Sequence, residues 1–252
     1  MILAINTSSF QFSLALLDED GSLKAEYVIS GGAGRFAGMF PAFEEILSAL
    51  GFSVQDVSAI AVAIGPGSFT GLRVGLAAAK GFAHALGAPL VGISSLEALA
   101  CQLIGASTTI APILDARRGE VFTAPFSPGF PYPERSGPDT CIPFDEIGSF
   151  YRDRVVIIGN DYPKQSPLLQ AGLRDFTRLA PPHLWNLRAS AVGFLGLKRL
   201  RTKDYDDPET LAPLYLRAPD IRPSPHPVFF QESEQADPDS STFQQETTCP
   251  VT

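Results

Sequence analysis

Cysteine, histidine and basic residues are scarce in this 252-residue chain, and each shortage removes a class of function. The three cysteines, Cys101, Cys141 and Cys249, are odd in number, far apart and without a CxxC pair. Neither a disulfide framework nor a zinc cluster is expected, and reduced, packed thiols fit a cytoplasmic chain. The three histidines, His84, His183 and His226, stand in separate contexts. They offer no metal-binding His-x-x-x-His pair and no Ser-His-Asp or Cys-His constellation. No stretch approaches the roughly 18 continuous apolar residues of a membrane span. Met1-Ile2-Leu3-Ala4-Ile5 follows no basic segment, so no signal peptide is expected. Lysine and arginine number 19 against 27 acids, for a net charge of −8. Holding a phosphate backbone depends on cations that displace counterions. In RNA chemistry a partner would therefore have to supply most of the basic surface.

What is present suffices for a core: 45% of residues are hydrophobic and 18% charged, which argues against wholesale disorder. Met1–Thr7 reads as an apolar strand. Phe10, Phe12, Leu14 and Leu16, then Leu23, Ala25, Tyr27 and Ile29, alternate with smaller or polar neighbours, as half-buried strands do. Met39, Phe40, Phe43, Ile46, Leu47 and Leu50 recur at helical spacing, and Gly51 ends that helix. A buried strand over Val57–Ile64, a helix over Gly71–Leu86, a strand over Pro89–Ile93 and a helix from Ser94–Ser95 to about Leu103 follow. A second series repeats the plan: strands at Thr109–Asp115 and Glu120–Phe126, a loop over Ser127–Thr140, a helix at Phe144–Tyr151, a strand at Arg154–Ile158 and a helix at Ala189–Leu200. The step from Ala4-Ile5-Asn6-Thr7 into Phe12–Leu16 echoes that from Ile113-Leu114-Asp115-Ala116 into Val121–Phe126. Two related α/β units are expected. Ile221–Thr252 is acidic, aperiodic and rich in polar residues, and reads as a solvated tail.

The richest stretch is Gly65-Pro66-Gly67-Ser68-Phe69-Thr70-Gly71-Leu72-Arg73-Val74-Gly75. A buried strand runs into a glycine-rich loop that opens a helix. Ser68 and Thr70 are candidate caps, and free N–H groups at a helix start suit an anion, so Gly67, Ser68, Thr70 and Arg73 are possible anion-binding positions. The Gly-Lys-Ser/Thr ending of a Walker loop is missing. Gly71, Gly75 and Ala79 recur every four residues, on one side of the helix, and Met39, Phe43 and Leu47 form a stripe on the preceding helix. These six residues are read either as internal packing or as a subunit interface.

The 65–75 stretch resembles the hallmark of the TsaB (YeaZ-type) family. Leu3-Ala-Ile-Asn-Thr-Ser8, Ile113-Leu-Asp-Ala-Arg117 with Glu120-Val121-Phe122, and Pro213-Leu-Tyr-Leu-Arg217 agree in the same order. The resemblance spans about Met1 to Asp220. It implies an actin-like (ASKHA, ribonuclease H-like) α/β fold of two domains from a duplicated unit, here 1–105 and 106–220 with a tail at 221–252. It also implies a non-catalytic, cytoplasmic scaffold subunit of the machinery that forms threonylcarbamoyladenosine in tRNA. Such a subunit has no catalytic residues or metal ligands of its own and pairs through its N-domain helices with the catalytic subunit TsaD. ATP and metal are expected on that partner, with a TsaE-type ATPase in the wider complex. tRNA would be reached only through the complex, and the chain would form a homodimer when alone. Two positions depart from the family: Asn6 stands where Asp is usual, and Arg35 where a His is common. Asn6 lacks the charge that holds a magnesium-bound water.

A stand-alone actin-like phosphotransferase using ATP is the competing reading, with Asn6 and Asp115 as residual phosphate-loop positions. The missing first acid, the bulk of Arg117-Arg118 and the lack of a double-glycine adenine site near Gly159 weigh against it. A peptidase lacks any constellation to support it, and Asp115 with Glu120 is read as a pair of surface hairpin charges.

Overall fold

The strand patterns resolve into two sheets built on one plan. A computed structural model describes residues 1–31, 36–170 and 175–217. The tail at 221–252 and Arg35 lie outside the described residues. The first sheet contains β1 (Ile2–Asn6), β2 (Gln11–Leu17), β3 (Leu23–Ser30), β4 (Ala59–Gly65) and β5 (Leu90–Ser94), in the order β3-β2-β1-β4-β5. The first three strands are antiparallel neighbours, and β4 and β5 run parallel to β1. The second sheet is built around β6 (Thr109–Arg117) and β7 (Glu120–Thr123). A short β8 (Phe126–Ser127) and β9 (Glu134–Arg135) lead on to β10 (Thr140–Pro143), β11 (Val155–Ile158) and β12 (Thr177–Leu179). Its main path is β10-β7-β6-β11-β12, with the same pattern of antiparallel and parallel pairs. The doubled order makes this an α/β protein with an actin-like fold, as the echo around Asn6 and Asp115 suggested.

The helices are α1 (Met39–Leu50), α2 (Phe69–Leu86), α3 (Ser95–Cys101), α4 (Ile147–Phe150), α5 (Tyr162–Gln170) and α6 (Ala189–Arg201). Glycines in left-handed conformations close the two long early helices: Gly51 at φ 71° ends α1, and Gly87 at φ 61° ends α2. Leu3 and Ile5 of β1 join Phe12, Leu14 and Leu16 of β2 in a core with α1 and α2. Ile2, Ala4, Ala15 and Leu17 point the other way, into a core shared with α3, α6 and the second sheet. β2 is therefore buried on both faces, rather than half-buried as its alternation predicted. The smaller partners, Ser13 and Ala15, are small because a helix lies close over them.

That helix is α6, which crosses β1, β2, β4 and β5. A Cβ at Gly193 would collide with Leu17, and one at Gly196 would come within 2.7 Å of Ala61 Cβ. The two glycines set how closely the helix approaches the sheet. Its place in the sequence groups this helix with the second half of the chain, yet it covers the first sheet. Residues Met1–Pro219 form one compact body. β9, β10, β12 and α5 depart from the sequence expectation. β9 lies within the stretch expected as loop and β10 begins at its end, and α5 carries Pro163 and Pro167 with little helical periodicity. Among the described residues no helix is long and apolar enough to cross a membrane.

Candidate functional site

The chain between β1 and β2 forms the floor of the candidate site. Asn6 is wholly buried. Its Nδ2 donates to Leu187 O at 2.7 Å and to Ser13 Oγ at 3.3 Å. Its Oδ1 accepts from Ser8 N at 3.1 Å and Ser8 Oγ at 2.8 Å. Both polar atoms of the amide are thus engaged. They hold the 6–8 loop closed and tie it to the segment that leads into α6. An aspartate could accept from Ser8 but could not donate to Leu187 O.

Asp115, the matching position in the second sheet, is part-exposed. Its Oδ1 accepts from Arg117 N at 2.7 Å, and its other oxygen pairs with Lys164. Arg117, Arg118 and Gly119 all take positive φ, at 66°, 54° and 79°, in the hairpin that follows. Beyond β11, a Cβ at Gly159 would strike Gln165 Oε1 and approach Trp185 Cζ3 to 2.6 Å. Gln165 Oε1 accepts from Asn160 N and Asp161 N at 3.1 Å each. Gln11 Nε2 donates to Asn160 O, joining the two sheets. Protein side chains fill the space beside Gly159. Among the described residues, no group of three or more His, Cys, Asp or Glu could hold a metal ion.

The 65–75 stretch lies directly on this floor. Side chains at Gly67, Gly71 or Gly75 would run into Ser8 O, Thr7 O and Thr7 Oγ1 in turn. Ser68 N donates to Ser8 O at 2.6 Å, Gly71 N to Ser68 Oγ at 3.3 Å, and Thr7 Oγ1 to Gly71 O at 2.7 Å. Two of the donors an anion would use are therefore engaged by the protein. Arg73, another possible anion contact, donates from Nε to Tyr215 Oη at 3.0 Å and lies 3.9 Å over the Phe69 ring. Thr70 is exposed on the first turn of α2.

The six residues read as packing or interface are all interior. Gly71, Gly75 and Ala79 face β1 and its loop, and Met39, Phe43 and Leu47 face the core beneath α1. The interface reading of these six is corrected: their stripe is internal packing. The opposite side of α2 is the one presented outward. Val74, Ala77, Ala78, Gly81, Phe82 and Ala85 recur there at helical spacing and are exposed or half-buried, and a Cβ at Gly81 would meet nothing within 4 Å. Phe40 of α1 is 54% exposed and stacks on Phe82 with ring centroids 5.7 Å apart. Sequence spacing could not set the phase, because both sides of α2 are small-residue stripes. Phe40, an exposed aromatic beside Glu44 on the charged side of α1, marks the outward region once the fold is known.

The stretch from Pro213 to Arg217 runs along the same edge. Leu214 N donates to Ile64 O at 2.7 Å, and a Cβ at Gly65 would lie 2.6 Å from Leu214 O. Tyr215 packs on Phe69 with centroids 5.1 Å apart. Arg217 pairs with Glu120 at 2.7 Å and reaches Ala116 O at 3.4 Å. The loop after β1 thus meets the 65–75 stretch, and residues 214–217 join that stretch to the 116–120 hairpin.

Comparison with known proteins fits this arrangement. A family model for TsaD, tRNA N6-adenosine threonylcarbamoyltransferase, matches residues 37–127. The tRNA threonylcarbamoyladenosine biosynthesis protein TsaB of Bacillus subtilis is 34% identical over 221 residues, covering 86% of this chain and 93% of that protein. The chain belongs to the TsaB family. The TsaB of Escherichia coli is 37% identical over 128 residues, covering 50% of this chain and 54% of its own. The solved structure of YeaZ from Pseudomonas aeruginosa superposes with a TM-score of 0.72 at 22% identity, covering 85% of this chain and 99% of that one, and shares the fold. Within the TsaB family this chain carries its glycine face inward and an aromatic-flanked stripe outward.

Proposed function

We propose that the chain is a non-catalytic scaffold subunit in the formation of threonylcarbamoyladenosine in tRNA, pairing with a TsaD-type catalytic subunit through the outer face of α2 and the adjoining Phe40. The observation that carries this reading is the contiguous stripe from Val74 to Ala85, small enough for close helix approach and bordered by exposed Phe40 and Phe69. An apolar stripe flanked by aromatics is the composition of an interface centre. ATP and metal would then be held by the catalytic partner, with a TsaE-type ATPase in the wider complex. The chain would be cytoplasmic and would self-associate through the same face when alone. Mixing the purified chain with a TsaD-type subunit should give a stable heteromeric species by size-exclusion chromatography with light scattering. Gly81→Arg should stay folded and abolish it. An intact complex with folded Gly81→Arg would reject this face.

The alternative, a stand-alone ATP-dependent phosphotransferase, is opposed by three contacts. Asn6 is locked to Leu187, Asp115 is paired with Lys164, and Trp185 and Gln165 fill the space beside Gly159. ATP turnover by the isolated chain that disappears in Asp115→Ala would restore it.

A further inference from the structure

The edge where the motif segments meet has a character unlike the rest of this acidic chain. Phe69 and Tyr215 are 36% and 39% exposed and packed together. Arg73 is held by the Tyr215 phenol, so its charge is not cancelled by a carboxylate in that bond. Two residues further along the same segment, Arg217 pairs with Glu120 and reaches Ala116 O, which brings this segment beside Arg117 and Arg118 on the hairpin. Arg117 and Arg118 are both exposed and both left-handed. The two-residue turn between the paired Arg117 and Glu120 is Arg118-Gly119, and the first position of such a turn is normally Asn, Asp or Gly, while Arg117 sits at a register shift in β6; a side chain in either left-handed position costs free energy. Arginines kept in such conformations at a surface tip suggest a demand other than folding.

We infer that Phe69, Arg73, Arg117, Arg118 and Tyr215 form a contact for an RNA strand, with the arginines facing phosphates and the exposed ring of Tyr215 stacking an unpaired base, while Arg217, paired with Glu120, ties the two segments together. Aromatic rings interleaved with arginine are the composition that binds single-stranded segments, because every base has a face to stack and every phosphate a charge to meet. An acidic protein partner would use the arginines but has less use for the rings. In a chain of net charge −8, a local positive rim also orients an approaching polyanion that the remaining surface repels. The inference rests on the reading of this chain as a subunit of a tRNA-modifying complex. It adds that the chain itself touches the RNA, where the sequence led only to contact through the partner.

The test uses the full chain assembled with a TsaD-type subunit and measures tRNA affinity by fluorescence anisotropy across a salt series. Arg117→Glu and Arg118→Gly should each weaken binding severalfold and lower the salt slope by roughly one. Arg118→Gly carries its own folding control, because glycine accepts φ 54° and should leave stability equal or higher. Tyr215→Ala should weaken binding to a similar degree, and Tyr215→Phe should restore it. Unchanged affinity and slope in an intact assembly would overturn the inference while leaving the scaffold reading in place. Loss of the TsaD-type subunit in these variants, with RNA affinity retained, would also overturn it and mark the edge as a protein contact. Failure of the wild-type chain to assemble would count against the scaffold reading alone. The RNA contact is then decided by crosslinking the full chain to 4-thiouridine-containing tRNA, with adducts at 69–73 or 214–217 expected and adducts only elsewhere refuting it.

Discussion

The hydroxyl of Thr7 occupies the place that a side chain on Gly75 would need, and it is fixed there by its bond to Gly71 O at 2.7 Å. Gly75→Leu should therefore destabilise the fold by about 1–3 kcal/mol or more, since neither the loop nor the helix can move aside. Gly81, six residues on, faces open space. Gly81→Arg should raise the melting temperature slightly, because glycine is a poor helix former. Thermal melts of the two variants check the pair; a stable Gly75→Leu would mean that the helix stands off the loop.

Asn6→Asp tests whether the amide is a structural latch. The variant loses the donor to Leu187 O and sets a carboxylate against that carbonyl. The expected cost is about 1–3 kcal/mol at neutral pH. Burial favours the protonated acid, which raises its folded-state pKa above the unfolded value of about 3.9. The variant should thus be least impaired near pH 4 and lose stability as pH rises through the raised pKa. Urea unfolding at pH 4.5 and pH 7.5 measures this, and wild-type stability at pH 7.5 would reject the latch.

Arg199 anchors the end of α6 to the edge of β5. It binds Asp204 at 2.8 Å, Asp206 at 2.7 Å and Gly92 O at 2.9 Å, while Asp206 accepts from Gly92 N at 2.6 Å. Hydrogen bonding from Arg199 holds the Asp204 carboxyl below its usual value. A depressed carboxylate contributes stability above its unfolded pKa and loses it as pH falls through the folded one. Asp204→Asn should therefore be less stable than wild type at pH 7, with the difference vanishing toward pH 2. Parallel denaturant titrations at both pH values provide the check.

Burial pushes the Cys101 thiol up to about 12. At pH 8 its thiolate is scarce and enclosed, so iodoacetamide should label it only as fast as the protein opens. Mass spectrometry of native and urea-treated protein measures the ratio. Rapid labelling of native Cys101 would show that α3 is loosely packed.

The strands of the first sheet and the long helices were legible because they rest on local chemistry. Leu3 and Ile5, the apolar spacing from Met39 to Leu50, and Gly51 each specify their element without distant help. The orientation of α2 was not legible. Gly71, Gly75 and Ala79 line one side and Val74, Ala78 and Gly81 another, and only Thr7 and Ser8, more than sixty residues earlier, decide which is inside. The partners of Arg73 and Arg217 were hidden for the same reason, since Tyr215 and Glu120 meet them only once both sheets exist. At Asn6 the residue type alone implies a lost metal-site charge, whereas its surroundings use it as a donor.

The placement of α6 has a consequence for synthesis on the ribosome. β1 to β5 are complete once residue 94 emerges, but the helix that covers one of their faces ends at Arg201. At about 5–20 residues per second, that face waits roughly 5–20 s for its cover. During this interval Ala4, Ala15, Leu17 and Ala61 have no helix above them. A nascent chain stalled after the first sheet therefore exposes an apolar face that one released after residue 201 covers.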